Sequence, residues 1–139
     1  MKKINMVDLN GQYRKIRWQV NREIKKVIKS SSFINGPIVK EFQKNLQEYL
    51  NVKHVIPCAN GTDALQIALM ALDLKKGDEI ITTNFSFAST IEVILLLGLK
   101  PVIVDIDPRT FNIDPSLIEN KITERTKVII PVHLFGQSC

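Results

Sequence analysis

Three short polar segments carry side chains that could bind a ligand or take part in a reaction. They read Asn-Gly-Thr-Asp at 60–63, Asn-Phe-Ser-Phe-Ala-Ser-Thr at 84–90 and Asp-Ile-Asp-Pro at 105–108. Each segment directly follows a run of apolar or β-branched residues that is typical of a strand. The chemistry open to them is anion binding for the first, ring stacking for the second, and metal or acid/base work for the third.

The segment at 60–63 has two possible functions. Gly61 lets the backbone approach a ligand closely, Thr62 adds a hydroxyl donor, and the free N–H groups of a first helical turn attract a phosphate. The same residues could instead form an ordinary cap, in which Asn60, Thr62 or Asp63 satisfies the amides of the helix itself. The segment matches neither a Walker motif nor a dinucleotide fingerprint, so ATPase and simple NAD functions lose support.

The other two segments are also open to structural explanations. Phe85 and Phe87 could stack on a flat cofactor ring, which adds about 0.5–1.5 kcal/mol beyond area burial, or they could belong to the core. Asp105 and Asp107 could serve a metal or a proton transfer, but Asp-Pro-Arg-Thr is equally typical of a turn, which we favour.

Hydrophobic periodicity predicts the helices and strands that hold these segments. Apolar residues three or four apart predict amphipathic helices over 12–29 and from Pro37 to residue 50, with a Ser-rich break and an Asn-Gly-Pro turn between them. Beyond them, strands at 55–59, 79–83, 102–106 and 127–132 alternate with helices at 64–72, 88–97 and 115–122. This alternation is the βαβ pattern of a parallel sheet, whose ligands bind at the carboxyl ends of the strands. Cys58 falls within the first predicted strand and is expected to be buried there.

Composition excludes several classes of protein. The 139 residues are 45% hydrophobic and 24% charged, which suits one soluble globular domain at most and no collagen or disordered tail. No apolar stretch approaches the ~20 residues of a membrane span, and residues 1–8 lead into no secretory signal.

Two cysteines provide no disulfide framework or zinc site, which indicates a cytoplasmic protein without metal. The net charge of +5 is unevenly distributed, since residues 1–29 carry +7 and the other residues carry −2, and we attribute the basic excess to a solvated helix face rather than to nucleic-acid binding.

Seven segments together resemble the DegT/DnrJ/EryC1/StrS family of pyridoxal-phosphate (PLP) enzymes. In chain order they are Val7-Asp8-Leu9 with Gln12-Tyr13, Phe33-Ile34-Asn35-Gly36-Pro37, Gly61-Thr62-Asp63-Ala64-Leu65, Gly77-Asp78-Glu79-Ile80, Phe85-Ser86-Phe87-Ala88, Val104-Asp105-Ile106-Asp107-Pro108, and Pro131-Val132-His133-Leu134-Phe135-Gly136. They run through the whole chain, in order and at the expected spacing.

The resemblance implies a fold and a set of site residues. The fold is the N-terminal part of the large α/β domain of a type I PLP-dependent aminotransferase, a mostly parallel sheet with helices on both faces after two amphipathic helices. The chain is then one incomplete domain, with helices in 1–50 and the alternating part in 51–139. Gly61, Thr62 and the Asp63 amide are implied to hold the cofactor phosphate, and Phe87 to stack on the pyridine ring. Asn35 and Gly36 are implied to lie near the substrate.

The resemblance also implies a reaction. Such enzymes pass an amino group from an amino acid, here expected to be glutamate, through pyridoxamine phosphate (PMP) to a nucleotide-linked keto sugar, and they work as homodimers. Neither the Schiff-base lysine nor the aspartate of the ring nitrogen has a match here, so we expect a piece of a longer enzyme that is inactive alone. The alternatives are a short non-catalytic chain that binds a phosphate or a full-length partner, and a fragment of a PLP-dependent sugar dehydratase.

Overall fold

Two long helices open the part of the chain that this computed structural model describes, which is residues 7–139. Helix α1 spans Leu9–Ser30, and the Asp8 carboxylate caps it by accepting the Gly11 N–H at 2.9 Å. Helix α2 spans Pro37–Leu50 and begins on a proline, which lacks only an N–H that a first turn leaves unused. Both predicted helices are therefore confirmed. Residues 1–6, on which the expectation of no secretory signal largely rests, lie outside the described part.

The chain divides into two compact units after Pro57, each described by itself. In the first unit, no residue of α1 or α2 is fully buried. The basic side chains of α1 are solvated, and two of them, Arg22 and Lys26, pair with Glu23 at 2.8 and 2.9 Å. The assignment of all 139 residues to one incomplete domain stays a prediction.

The predicted strand at 55–59 is wrong. These residues have no strand pairing within 7–139, and Cys58 is exposed rather than buried. The Val55 carbonyl instead accepts the Gln43 side chain at 2.9 Å, and the Lys53 carbonyl accepts the Gln47 side chain at 2.6 Å. An apolar run forms a strand only beside a neighbour that completes its hydrogen bonds, and no described strand provides one.

The second unit is built on a parallel sheet of three strands. Strand β1 spans Glu79–Thr82, β2 spans Lys100–Ile103 and β3 spans Thr126–Ile129, in the spatial order β2-β1-β3. All four residues of the central strand β1 are buried. Helix α3 spans Gly61–Met70 before the sheet, and helix α4 spans Ser89–Leu96 between β1 and β2.

The two faces of β1 contribute to two hydrophobic clusters, because successive side chains of a strand point in opposite directions. Ile80 packs with Leu69 of α3 and with Val93 and Ile94 of α4. Ile81 packs on the other face with Val104 and Ile113. That second face is covered by a segment with 3-10 helices at Pro115–Leu117 and Glu119–Lys121, where the sequence predicts one short helix over 115–122. Helices thus lie on both faces, and no described helix is long and apolar enough to cross a membrane.

Candidate cofactor site at the carboxyl edge of the sheet

The N-termini of α3 and α4 lie at the carboxyl edge of the sheet. Leu69 near the end of α3 packs with Leu97 and Leu99, which follow α4 and precede β2. The C-terminal ends of both helices are therefore close together beside the point where β2 begins. Since each helix runs antiparallel to the strands, both positive dipole ends are directed to the carboxyl edge, where ligands of parallel sheets bind.

Residues 60–63 form a capped turn at the start of α3. Asn60 is the N-cap in an extended conformation, and its side-chain oxygen accepts the Asp63 N–H at 2.9 Å. Its side-chain NH2 donates in return to the Asp63 carboxylate at 3.2 Å. The Asp63 amide, predicted as a phosphate donor, is thus engaged by the cap.

Gly61 and Thr62 supply the donors that remain at this helix end. Within residues 7–139, neither backbone N–H has a hydrogen-bond partner, and the same holds for the Thr62 hydroxyl. A Cβ at Gly61 would meet nothing within 4 Å, so no described atom crowds the Gly61 Cα on that side. Two amides, a hydroxyl and the helix dipole fit a phosphate group.

Phe87 lies in the loop that joins β1 to α4, and its side chain is 77% exposed. Phe85 behaves differently, since its ring stacks on Phe111 with centroids 5.8 Å apart. Of the two predicted alternatives, burial in the core therefore does not describe Phe87. Its ring is free to meet a flat ligand at the same edge of the sheet as the α3 N-terminus.

Asp105 and Asp107 form the turn that the sequence favours. Asp107 accepts the Arg109 backbone N–H at 2.7 Å and the Arg109 guanidinium at 3.1 Å, and Asp105 accepts the Ile106 N–H at 2.8 Å. The hydrogen bond from the Arg109 side chain lowers the pKa of Asp107. In the described part of the chain, no three His, Cys, Asp or Glu side chains converge as metal ligands.

Asn35 and Gly36, predicted near the substrate, belong to the first unit. Asn35 is exposed and has a positive φ of 48°. Gly36 is buried, and a Cβ there would collide with the Ser32 carbonyl oxygen. Both residues therefore have a local reason to occupy the turn before α2.

A polar cluster around Glu79, at the amino edge of the sheet, is not predicted by any of the sequence motifs. The buried Glu79 carboxylate accepts hydrogen bonds from the Thr123 hydroxyl at 2.6 Å, Lys100 Nζ at 3.0 Å and an Arg125 Nη atom at 3.2 Å. The Thr123 hydroxyl, followed by Lys100, lowers the pKa of Glu79. The sequence feature that could have indicated this cluster is the glutamate at the start of a β-branched strand. The cluster lies at the edge opposite the candidate site, and we assign it a structural role.

A parallel sheet with two helix N-termini and an exposed aromatic at its carboxyl edge defines an α/β protein equipped to hold a phosphorylated, flat ligand. The model of the DegT/DnrJ/EryC1/StrS aminotransferase family matches residues 14–139, and the chain belongs to that family. The family expectation from the seven segments is thereby confirmed.

Individual relatives agree with this assignment. The chain is 49% identical over 134 residues to the UDP-2-acetamido-2-deoxy-3-oxo-D-glucuronate aminotransferase of Pseudomonas aeruginosa, covering 96% of this chain and 37% of that protein. It is 46% identical over 111 residues to the 3-oxo-glucose-6-phosphate:glutamate aminotransferase of Bacillus subtilis, covering 80% of this chain and 25% of that protein.

A solved structure shows the same fold. NtdA from Bacillus subtilis, crystallised with its cofactor PMP, superimposes with a TM-score of 0.91 at 38% identity, covering 98% of this chain and 32% of NtdA. The expected α/β aminotransferase fold is therefore confirmed. The chain spans between a quarter and two fifths of the length of these three relatives.

Proposed function

We propose that this chain is the N-terminal part of a PLP-dependent aminotransferase that transfers an amino group from glutamate to a nucleotide-linked keto sugar. The observation that carries the proposal is the family match over residues 14–139. The names of two relatives support its details, since one acts on a UDP-linked 3-oxo sugar and the other uses glutamate.

The cofactor is PLP, with PMP as its aminated form, as the PMP bound in NtdA supports. PLP supplies the electron sink that this chemistry needs and carries the amino group between the two substrates. Gly61 and Thr62 would bind its phosphate through two backbone N–H groups and the Thr62 hydroxyl. The Asp63 amide would join them only when Asn60 releases it. Phe87 would stack on the pyridine ring and orient it.

Asn35 and Gly36 would border the pocket of the nucleotide-linked sugar. The whole enzyme would act as a homodimer in the cytoplasm, without a nucleic-acid partner or a membrane. The lysine that binds the cofactor and the aspartate that pairs with the ring nitrogen would both follow residue 139, since no segment of this chain matches their motifs.

The experiment that tests the proposal is to read the coding sequence in frame beyond codon 139. An acidic residue on a predicted strand followed by a lysine motif would support the aminotransferase. A histidine at the lysine position would replace it with the sugar dehydratase. A stop codon directly after Cys139 would exclude catalysis by this product and would favour a non-catalytic chain that binds a phosphate or a full-length partner.

A further inference from the structure

A cleft of about 200 Å³ opens at the carboxyl edge of the sheet, between the loops that follow β1 and β3. From β1 the chain adds β2 on one side and then crosses to place β3 on the other. The gap between β1 and β3 is therefore the switch point of the sheet, where α/β proteins bind ligands. The lining residues are Asn84, Phe85 and Ser86 after β1, and Leu134 and Phe135 after β3.

Phe135 forms one wall of this cleft in an unfavourable conformation. Its φ is +55°, in the left-handed region that bulky residues rarely adopt, and its side chain is 87% exposed. No burial within residues 7–139 offsets this strain. Backbone strain of this kind concentrates at functional sites, so Phe135 is a candidate for contact with a ligand.

The opposite wall is fixed in position. The Phe85 ring lies against Phe111 with centroids 5.8 Å apart and the two rings inclined by 29°, and Phe85 is 45% exposed and lines the cleft. Two polar groups accompany the aromatic walls. The Ser86 hydroxyl shares a hydrogen bond with Thr90 at 3.2 Å, and the exposed Asn84 amide has no partner within the described residues. The cleft thus combines flat apolar surfaces with a few hydrogen-bonding groups.

The size of the cleft limits what it can hold. Pockets for complete drug-sized ligands measure about 300–1,000 Å³, so this one has room for a single ring rather than for a whole nucleotide-linked sugar. A pyranose ring presents C–H groups on its face and hydroxyl groups at its rim, which matches aromatic walls beside an amide and a hydroxyl. The reacting ring must also lie near the cofactor, and Phe87 is only two residues beyond Phe85.

We propose that the cleft between β1 and β3 holds the sugar ring of the substrate, with Phe135 as a specificity-determining wall. This inference rests on the proposed function, because it takes the nucleotide-linked sugar from it. Asn84 and Ser86 bind hydroxyl groups of the ring. The nucleotide is separated from the ring by its diphosphate and binds elsewhere.

The test measures how much the sugar ring adds to the binding affinity, and it uses the full product of the gene. UDP-, GDP- and dTDP-linked glucose are titrated calorimetrically against wild type, and the one that binds is compared with its free nucleoside diphosphate. Phe135→Ala is expected to weaken binding of the nucleotide sugar by about tenfold, the upper range for one aromatic contact, and to leave the free diphosphate unchanged. Phe135→Tyr, which keeps the flat ring, is expected to bind as wild type does.

Further variants separate a ring-binding wall from a structural contact. Phe135→Leu keeps apolar bulk without a flat face and is expected to bind weakly, as Phe135→Ala does. Phe42→Ala, at another exposed phenylalanine on α2, is the control and should change neither titration. Equal loss of both ligands in Phe135→Ala, or full binding by Phe135→Leu, would overturn the proposal.

The same titrations distinguish failure of this inference from failure of the proposed function. If wild type binds nucleotide sugars and transfers the amino group, but Phe135→Ala binds them equally well, only the assignment of the cleft is wrong. If wild type binds none of the three nucleotide sugars, both proposals are wrong.

Discussion

Asn60 determines how many hydrogen-bond donors the start of α3 can offer to a ligand. While its side chain holds the Asp63 N–H at 2.9 Å, two backbone amides and the Thr62 hydroxyl are left. A cap of this kind contributes about 1 kcal/mol to helix stability. A phosphate that binds the Asp63 amide must therefore offset the free energy of the Asn60 cap. The turn can then cap the helix when no ligand is present and bind a phosphate when one is.

Thr62→Val tests whether the hydroxyl belongs to the phosphate site. Valine keeps the shape of threonine but removes the donor. Hydrogen bonds to charged groups contribute about 1.5–3 kcal/mol, so PLP affinity is expected to fall by roughly 10- to 150-fold. The measurement is a titration of the gene's full product with PLP, followed by cofactor absorbance. Thr62→Ser retains the hydroxyl and should bind normally, whereas tight binding by Thr62→Val would remove this residue from the site.

The helices and strands differ in how well the sequence predicts them. Helices α1 and α2 follow directly from local periodicity and caps, as does β1 from its β-branched run. The strand expected at 55–59 fails because a strand depends on partners that local sequence does not reveal. The ion pairs of Glu79 escape prediction for a related reason, since its partners on β2 and in the loop before β3 are brought together by the sheet.

The Glu79 cluster joins the elements at the amino edge of the sheet, and its contribution should depend on pH. Its three partners come from β2 and from the loop before β3. Since folding lowers the pKa of Glu79 from 4.5, its stabilising effect is complete above that value and is lost as the pH falls through the folded pKa. Glu79→Gln is therefore expected to unfold at lower urea concentration at pH 7, with the difference from wild type shrinking below pH 4.5.

Urea unfolding at a series of pH values from 7 to below the folded pKa measures this effect. Glu124→Gln is the matched control, because Glu124 is an exposed glutamate in the same loop as Thr123 and Arg125 and makes no ion pair within the described residues. It should follow wild type at every pH. A constant difference between Glu79→Gln and wild type across the series would show that the charge of Glu79 is not what stabilises the sheet.

The second unit leaves exposed several surfaces that a stable monomer would cover. Strands β2 and β3 each have one neighbour among the described strands, and an open edge of this kind pairs readily with other chains. Helix α4 also exposes apolar side chains on its outer side, with Leu96 at 71%. A polypeptide of residues 1–139 is therefore expected to self-associate, which sedimentation velocity over a range of concentrations would detect.

Leu96→Lys should reduce the association by charging the apolar surface, whereas Glu92→Lys, at an already polar position of α4, should not. A monomer that unfolds cooperatively would show instead that the three-stranded sheet is sufficient by itself, and the proposal of a longer enzyme would then rest on the family match alone.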